Sequence, residues 1–143
     1  MTLREFYNRI KSLELQTMKE EAVIENKDKI VILNQSQLHA GQTTKERNIR
    51  PKYTKSYLKR KNKLSSYEAP DGVPDLYLTG EFYNEMDVIV ENEEYFITSF
   101  DEKNVWLSER YKDIFGLTKK SKEEATKLVS NTFLKKISYK LLN

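Results

Sequence analysis

The chain contains no cysteine, which removes disulfides, thiolate metal sites and cysteine nucleophiles together and suits a reducing cytoplasm. It has a single histidine, His39, so a metal site would have to be built from carboxylates, and none is expected. His39 sits beside Ala40-Gly41 near the end of a predicted helix and reads as a packing or capping residue. Four scattered glycines supply neither a phosphate loop nor a dinucleotide fingerprint. The longest aliphatic run, Ile30 to Leu33, is four residues, far short of the roughly twenty that a membrane-spanning helix needs. The opening MTLREFYNRI has no apolar stretch of signal-peptide length. The expectation is a soluble, unanchored chain with no cofactor, no membrane contact and no small-molecule ligand.

What is present is charge, and it is segregated. Residues 1–44 carry six basic and six acidic side chains, residues 45–63 nine and one, residues 64–118 three and thirteen, and residues 119–143 seven and two. The net +3 therefore conceals a +8 block beside a −10 block, which fits either a grip on a polyanion or contact between copies. At 143 residues the chain is one domain by length, able to bury about two-thirds of its unfolded surface.

Hydrophobic spacing predicts an α+β fold. Thr2 and Glu5 match a capping box, and the first forty residues have neither proline nor glycine. Leu3, Phe6, Ile10 and Leu13, then Ile30, Val31, Leu33, Asn34 and Leu38, keep helical spacing up to Gly41, a natural C-terminal stop. The polar Glu25-Asn26-Lys27-Asp28 leaves one long helix or two; a continuous one would span roughly 55–60 Å. A polar connector follows over 42–51, then a short helix over about 53–63. Ala69 to Pro74 is the strongest break. Asp87–Glu91 and Tyr95–Phe100 predict an antiparallel hairpin across Asn92-Glu93-Glu94, with 76–78 as a third strand or the lead into a short helix at 80–84. Trp106, Leu107, Tyr111, Ile114 and Phe115 form an apolar stripe ending at Gly116. Ser121 and Glu124 suggest a second capping box opening a last amphipathic helix to about Leu142, laid against the sheet. The organisation expected is a long N-terminal helix (1–44), a basic extended or helical arm (45–74) and a compact body with a small antiparallel sheet and a C-terminal helix (75–143).

No catalytic constellation appears. Asp71, Asp75, Glu81, Glu85 and Asp87 are crowded together, but they lack the alternation, central glycine and closing glutamate of a calcium loop. A paired-carboxylate hydrolase drawn from them is the weakest of the functional classes, and the chain is read as not an enzyme. The basic block is more informative. Arg47, Arg50, Lys52, Lys55, Lys59, Arg60, Lys61 and Lys63 recur every two to four positions with Tyr53 and Tyr57 interleaved, a pattern suited to phosphates and bases or to an acidic partner surface. Because the acidic block exceeds the basic one, protein contact is the leading reading and nucleic-acid binding the alternative.

Three segments carry a resemblance. Ile32-Leu33-Asn34-Gln35-Ser36-Gln37-Leu38-His39-Ala40-Gly41 is similar to an "LNxxQLxxG" helix end. Ile49-Arg50-Pro51-Lys52-Tyr53 through Tyr57 and Lys61 is similar to an "I-x-P-x-Y…Y…K" connector. Pro74-Asp75-Leu76-Tyr77-Leu78-Thr79-Gly80-Glu81-Phe82-Tyr83 is similar to a "PDLYLTGxFY" cassette. In this order, over about residues 26–117, they resemble small virion proteins of tailed bacteriophages, including crAss-like phages of gut Bacteroides, and more distantly tail-completion and virion-morphogenesis proteins. The resemblance implies a non-catalytic head–tail connector, neck or tail-completion subunit, assembled in the host bacterial cytoplasm into the virion. Its partners would be other copies in a ring and portal, neck or tail proteins, with a contact to DNA as a further option. Gln42-Thr43-Thr44-Lys45-Glu46 departs from the glycine-containing turn frequent after such a helix end. In the cassette, Thr79-Gly80 predicts a tight turn with positive φ at the glycine, sending Leu76, Leu78 and Phe82 inward and Glu81 and Glu85 outward. With Gly41, Pro74, Trp106 and Gly116, these residues are the expected core and turns.

Overall fold

The computed structural model describes residues 1–64 and 70–143. Ala69 of the predicted break lies outside them, as do positions 65–68 of the expected arm. The fold is α+β. Helices α1 (Leu3–Lys11), α2 (Leu15–Glu25), α3 (Lys27–His39) and α4 (Lys55–Leu64) precede a short α5 (Glu81–Asn84), strands β1 (Met86–Glu91) and β2 (Glu94–Ser99), then α6 (Asn104–Arg110) and α7 (Lys119–Leu142).

The single long N-terminal helix is replaced by three. The Thr2–Glu5 capping box forms as expected, with the Thr2 hydroxyl accepting from the Glu5 amide at 3.1 Å and the Glu5 carboxylate from the Thr2 amide at 2.7 Å. α1 then stops where the Ser12 hydroxyl turns back to the Arg9 carbonyl at 2.8 Å, offering a backbone acceptor a partner other than the helix ladder. At the second break Asn26 is buried, and its side-chain amide donates to the Ala22 carbonyl and the Thr132 hydroxyl, both at 2.8 Å. The polar run that left one helix or two open is thus a joint fastened to α7.

β1 and β2 pair antiparallel with Met86 opposite Ser99, Val88 opposite Ile97 and Val90 opposite Tyr95. The turn is one residue shorter than expected: Asn92 and Glu93 both take left-handed conformations, φ 51° and 65°, as a two-residue hairpin turn with the strands' own twist requires. Residues 76–78 add no strand, but the short helix at 81–84 is present. Val88 and Ile97 face a core that includes Ile30, Val31 and Leu38 of α3 with Leu107, Tyr111, Ile114 and Leu117.

α7 is capped by Thr118 instead of Ser121. Thr118 is extended, its hydroxyl accepts from the Ser121 amide at 3.3 Å, and its own amide is held by the Gln37 side chain at 2.9 Å. The helix lies along α1, α2 and α3, not against the sheet. Ala125 is buried and Leu128, Val129, Phe133 and Ile137 are half-buried. Lys136 bridges to Glu25 at 2.6 Å and Glu21 at 3.4 Å.

Among the described residues of the expected arm, Ile49 and Lys61 are buried against the rest of the protein. Gln42 and Asn48 form a β-bridge that closes the loop between them, the Ile49 amide donates to the Gly41 carbonyl at 2.8 Å, and the Ile49 side chain is fully buried in the core. Gly41 makes the crossing possible: at φ 71°, a Cβ there would stand 2.6 Å from Cγ1 of Val73, so only glycine fits.

Candidate functional site

In α4, Lys61 follows Tyr57 by four positions and Leu58 by three, which places the three on one face. That face is turned into the protein. Lys61 and Asp75 are 0% and 1% exposed, and their charged groups meet at 3.1 Å. The Lys61 ammonium also donates to the Tyr77 carbonyl. The same Asp75 oxygen accepts from the Tyr77 amide at 3.1 Å and the Tyr53 hydroxyl at 3.4 Å, and Tyr53 in turn accepts from the Leu76 amide at 2.9 Å. Tyr83 donates to the Asp75 carbonyl. A buried charge persists only when paired and hydrogen-bonded, and within the cassette Leu76, Tyr77 and Tyr83 supply bonds around the pair.

Aromatic rings wall the pair. Tyr77 meets Tyr83 edge-on at 5.1 Å, and the His39 ring lies 4.6 Å from Tyr83 and 5.4 Å from Tyr77. Burial pushes the Tyr53 hydroxyl well above the usual tyrosine range, and the Asp75 charge adds to the shift. Burial also lowers His39 below the ordinary histidine value; the Asp75 carboxylate opposes this and the Lys61 ammonium reinforces it. The chain accepts a strained backbone to close this arrangement. Leu76 has φ 59°, a conformation uncommon for any residue bearing a Cβ. Gly80 has the expected positive φ, 90°, and a Cβ there would stand 2.9 Å from the Tyr77 hydroxyl.

Outside this layer lies a cleft of about 450 Å³. Leu76, Leu78 and Phe82 line it from the cassette, Tyr57 and Arg60 from α4, and Trp106, Leu107 and Arg110 from α6. Trp106, expected in the core, is 60% exposed: α6 turns Leu107 inward and leaves Trp106 beside the cleft. The Arg110 guanidinium stands 5.9 Å from the Trp106 ring and 5.6 Å from that of Tyr111, within reach of both quadrupoles. Lys103, also at the cleft, pairs with Glu81 at 3.5 Å. Arg60 and Arg110 have no carboxylate partner among the described residues.

The predicted interface residues therefore separate. Lys61 is internal and so is no free contact; a basic run reads as solvated, and only the spacing from Tyr57 and Leu58 marks Lys61 as different. Tyr53, Tyr57 and Arg60 reach the cleft. Arg47, Arg50, Lys52, Lys55, Lys59 and Lys63 are exposed. Of the predicted turn and core residues, Pro74, Leu76, Gly80 and Phe82 are buried, and Leu78 and Gly116 half-buried. The crowded carboxylates disperse. Asp75 joins Lys61, Asp87 pairs with Lys27 at 3.8 Å, and Asp71 and Glu85 are exposed.

Two residues of the "LNxxQLxxG" segment have roles that its apolar spacing hides. Asn34 donates to the Ile114 carbonyl at 2.9 Å and accepts from the Gly116 amide at 3.1 Å. Gln37 donates to the Gly116 carbonyl at 3.0 Å and accepts from the Thr118 amide at 2.9 Å. Each carboxamide imitates a paired peptide group and fixes the loop that starts α7. The available signal was two amides three positions apart on an otherwise apolar face. No protein-family model, curated protein or solved structure matches the chain.

Proposed function

We propose that this chain is a non-catalytic structural subunit of a tailed-phage virion, a head–tail connector, neck or tail-completion component that assembles as a ring with portal, neck or tail proteins beside it. The observation that carries the reading is a pair of unlike apolar surfaces on one small domain. The first is α1, which has no buried residue and exposes Leu3, Phe6, Tyr7 and Ile10, with Leu134, Tyr139 and Leu142 exposed on α7. Arg9 ties the two helices together through the Leu141 carbonyl at 2.8 Å. The second comprises Phe100, Val105 and Trp106 on α6 and the connection that leads to it from β2. A ring subunit joins neighbours through two different faces, and exposed apolar clusters of this kind mark interaction sites. Sedimentation velocity of the purified protein is expected to show a discrete oligomer, and the protein should be found in purified particles. A monomer at every concentration, together with absence from particles, overturns the reading.

One observation favours a second reading, in which the chain binds nucleic acid. Arg47, Arg50, Lys52, Lys55, Lys59 and Lys63 are exposed and have no ion-pair partner among the described residues. Titration with duplex DNA across salt concentrations separates the two: binding through these cations loses about 0.9 in log K per log salt for each phosphate engaged, and no binding at low salt removes it.

A further inference from the structure

We infer that the cleft between α4, α6 and residues 76–82 receives the tip of the β1–β2 hairpin of a second copy of this chain. This deepens the ring reading and rests on it. The cleft sets the requirements: an apolar floor of Leu76, Leu78 and Phe82 and two arginines, Arg60 and Arg110, without carboxylate partners among the described residues. Its occupant must present apolar bulk and negative charge together. The hairpin tip does so. Glu91, Glu93 and Glu94 are exposed and without cationic partners among the described residues, and Tyr95 and Phe96 follow directly, both exposed. The two-residue turn at Asn92-Glu93 makes the tip narrow and already ordered, so docking it sacrifices little conformational entropy. A volume of about 450 Å³ lies within the ordinary range of binding pockets.

The tip cannot fill its own cleft. β2 runs six residues from Glu94 at the tip to Ser99, roughly 20 Å, before the chain reaches α6 on the cleft wall. Tip and cleft are therefore two different faces, and their contact is head-to-tail, the type that closes into rings. Complementary charge fixes the register of such a joint more than it adds raw affinity.

Charge reversal tests the joint. One variant carries Glu91→Lys, Glu93→Lys and Glu94→Lys, the other Arg60→Glu and Arg110→Glu, all exposed positions, with folding checked by circular dichroism. Each variant alone is expected to self-associate about tenfold or more weakly than the unaltered protein in sedimentation velocity. Mixing the two restores assembly, because each reversed tip then meets a reversed cleft and each unaltered tip an unaltered one. Trp106 is the sole tryptophan, so its emission should shift in the unaltered assembly and in the mixture, but in neither variant alone. If the unaltered protein assembles and neither reversal weakens it, or only the arginine reversal does, this joint is wrong while the ring reading stands. If the unaltered protein is monomeric throughout, both fall.

Discussion

The loop of residues 114–118 and the cassette of residues 74–83 are both irregular segments fixed to helices, and they are fixed by different chemistry. The first is held by Asn34 and Gln37, neutral carboxamides that exchange hydrogen bonds with the backbone of Ile114, Gly116 and Thr118. The second is held by Lys61 and Asp75, full charges removed from solvent. A carboxamide gives up modest hydration and recovers it in kind. An ion pair gives up far more and recovers it only while both partners are present. The cassette is therefore the more brittle attachment, and it forms the floor of the cleft, so damage to the pair reaches the site.

Breaking the pair has the largest expected effect. Asp75→Asn or Lys61→Met should each cost about 3–5 kcal/mol by urea unfolding, because an uncompensated buried charge remains. The double variant Lys61→Met with Asp75→Leu should recover much of that loss; equal damage from the single and double variants would show that the charges are not the fastening. The neutral clamp should yield less. Asn34→Ala leaves the Ile114 carbonyl and the Gly116 amide without their partner, at about 1–3 kcal/mol, and a loss as large as that of Asp75→Asn would erase the contrast.

The smallest effect concerns His39, which faces Tyr77 and Tyr83 with Asp75 and Lys61 nearby. Its folded value lies below the unfolded 6.5, so between the two the unfolded chain binds more protons and stability rises with pH. This contribution is present above 6.5 and is lost as the pH falls below it. Thermal melts from pH 7 down to 5 should therefore fall more steeply for the unaltered protein than for His39→Gln, and parallel slopes would remove the assignment.

Sequence reading succeeded where local chemistry decides the outcome. The Thr2–Glu5 box, the β-branched hairpin, the positive φ at Gly80 and the amphipathic last helix all follow from short-range patterns. It failed where a distant partner decides. Nothing around Lys61 sets it apart from Lys59 or Lys63 except its helical register, since its carboxylate lies in the next charge block. Asn26 looked like a gap because Thr132 is far along the chain, and Ser121 looked like a cap because the bond from Gln37 to Thr118 could not be foreseen. At the cleft, Tyr57 and Arg60 were legible within the basic block, but Lys103, Arg110 and the exposed Trp106 were not: an aromatic in an apolar stripe reads as core until the helix phase is known.

The packing of α7 on α2 has a consequence for biosynthesis. The buried side of α2, with Met18, Ala22 and Val23, is covered by a helix that begins at Lys119. At a translation rate of about 5–20 residues per second, that cover follows α2 from the ribosome by roughly 5–20 s. Throughout that interval the nascent chain exposes an apolar helix face to neighbouring polysomal chains, and synthesis of many copies at once makes premature association during translation the hazard this topology has to survive.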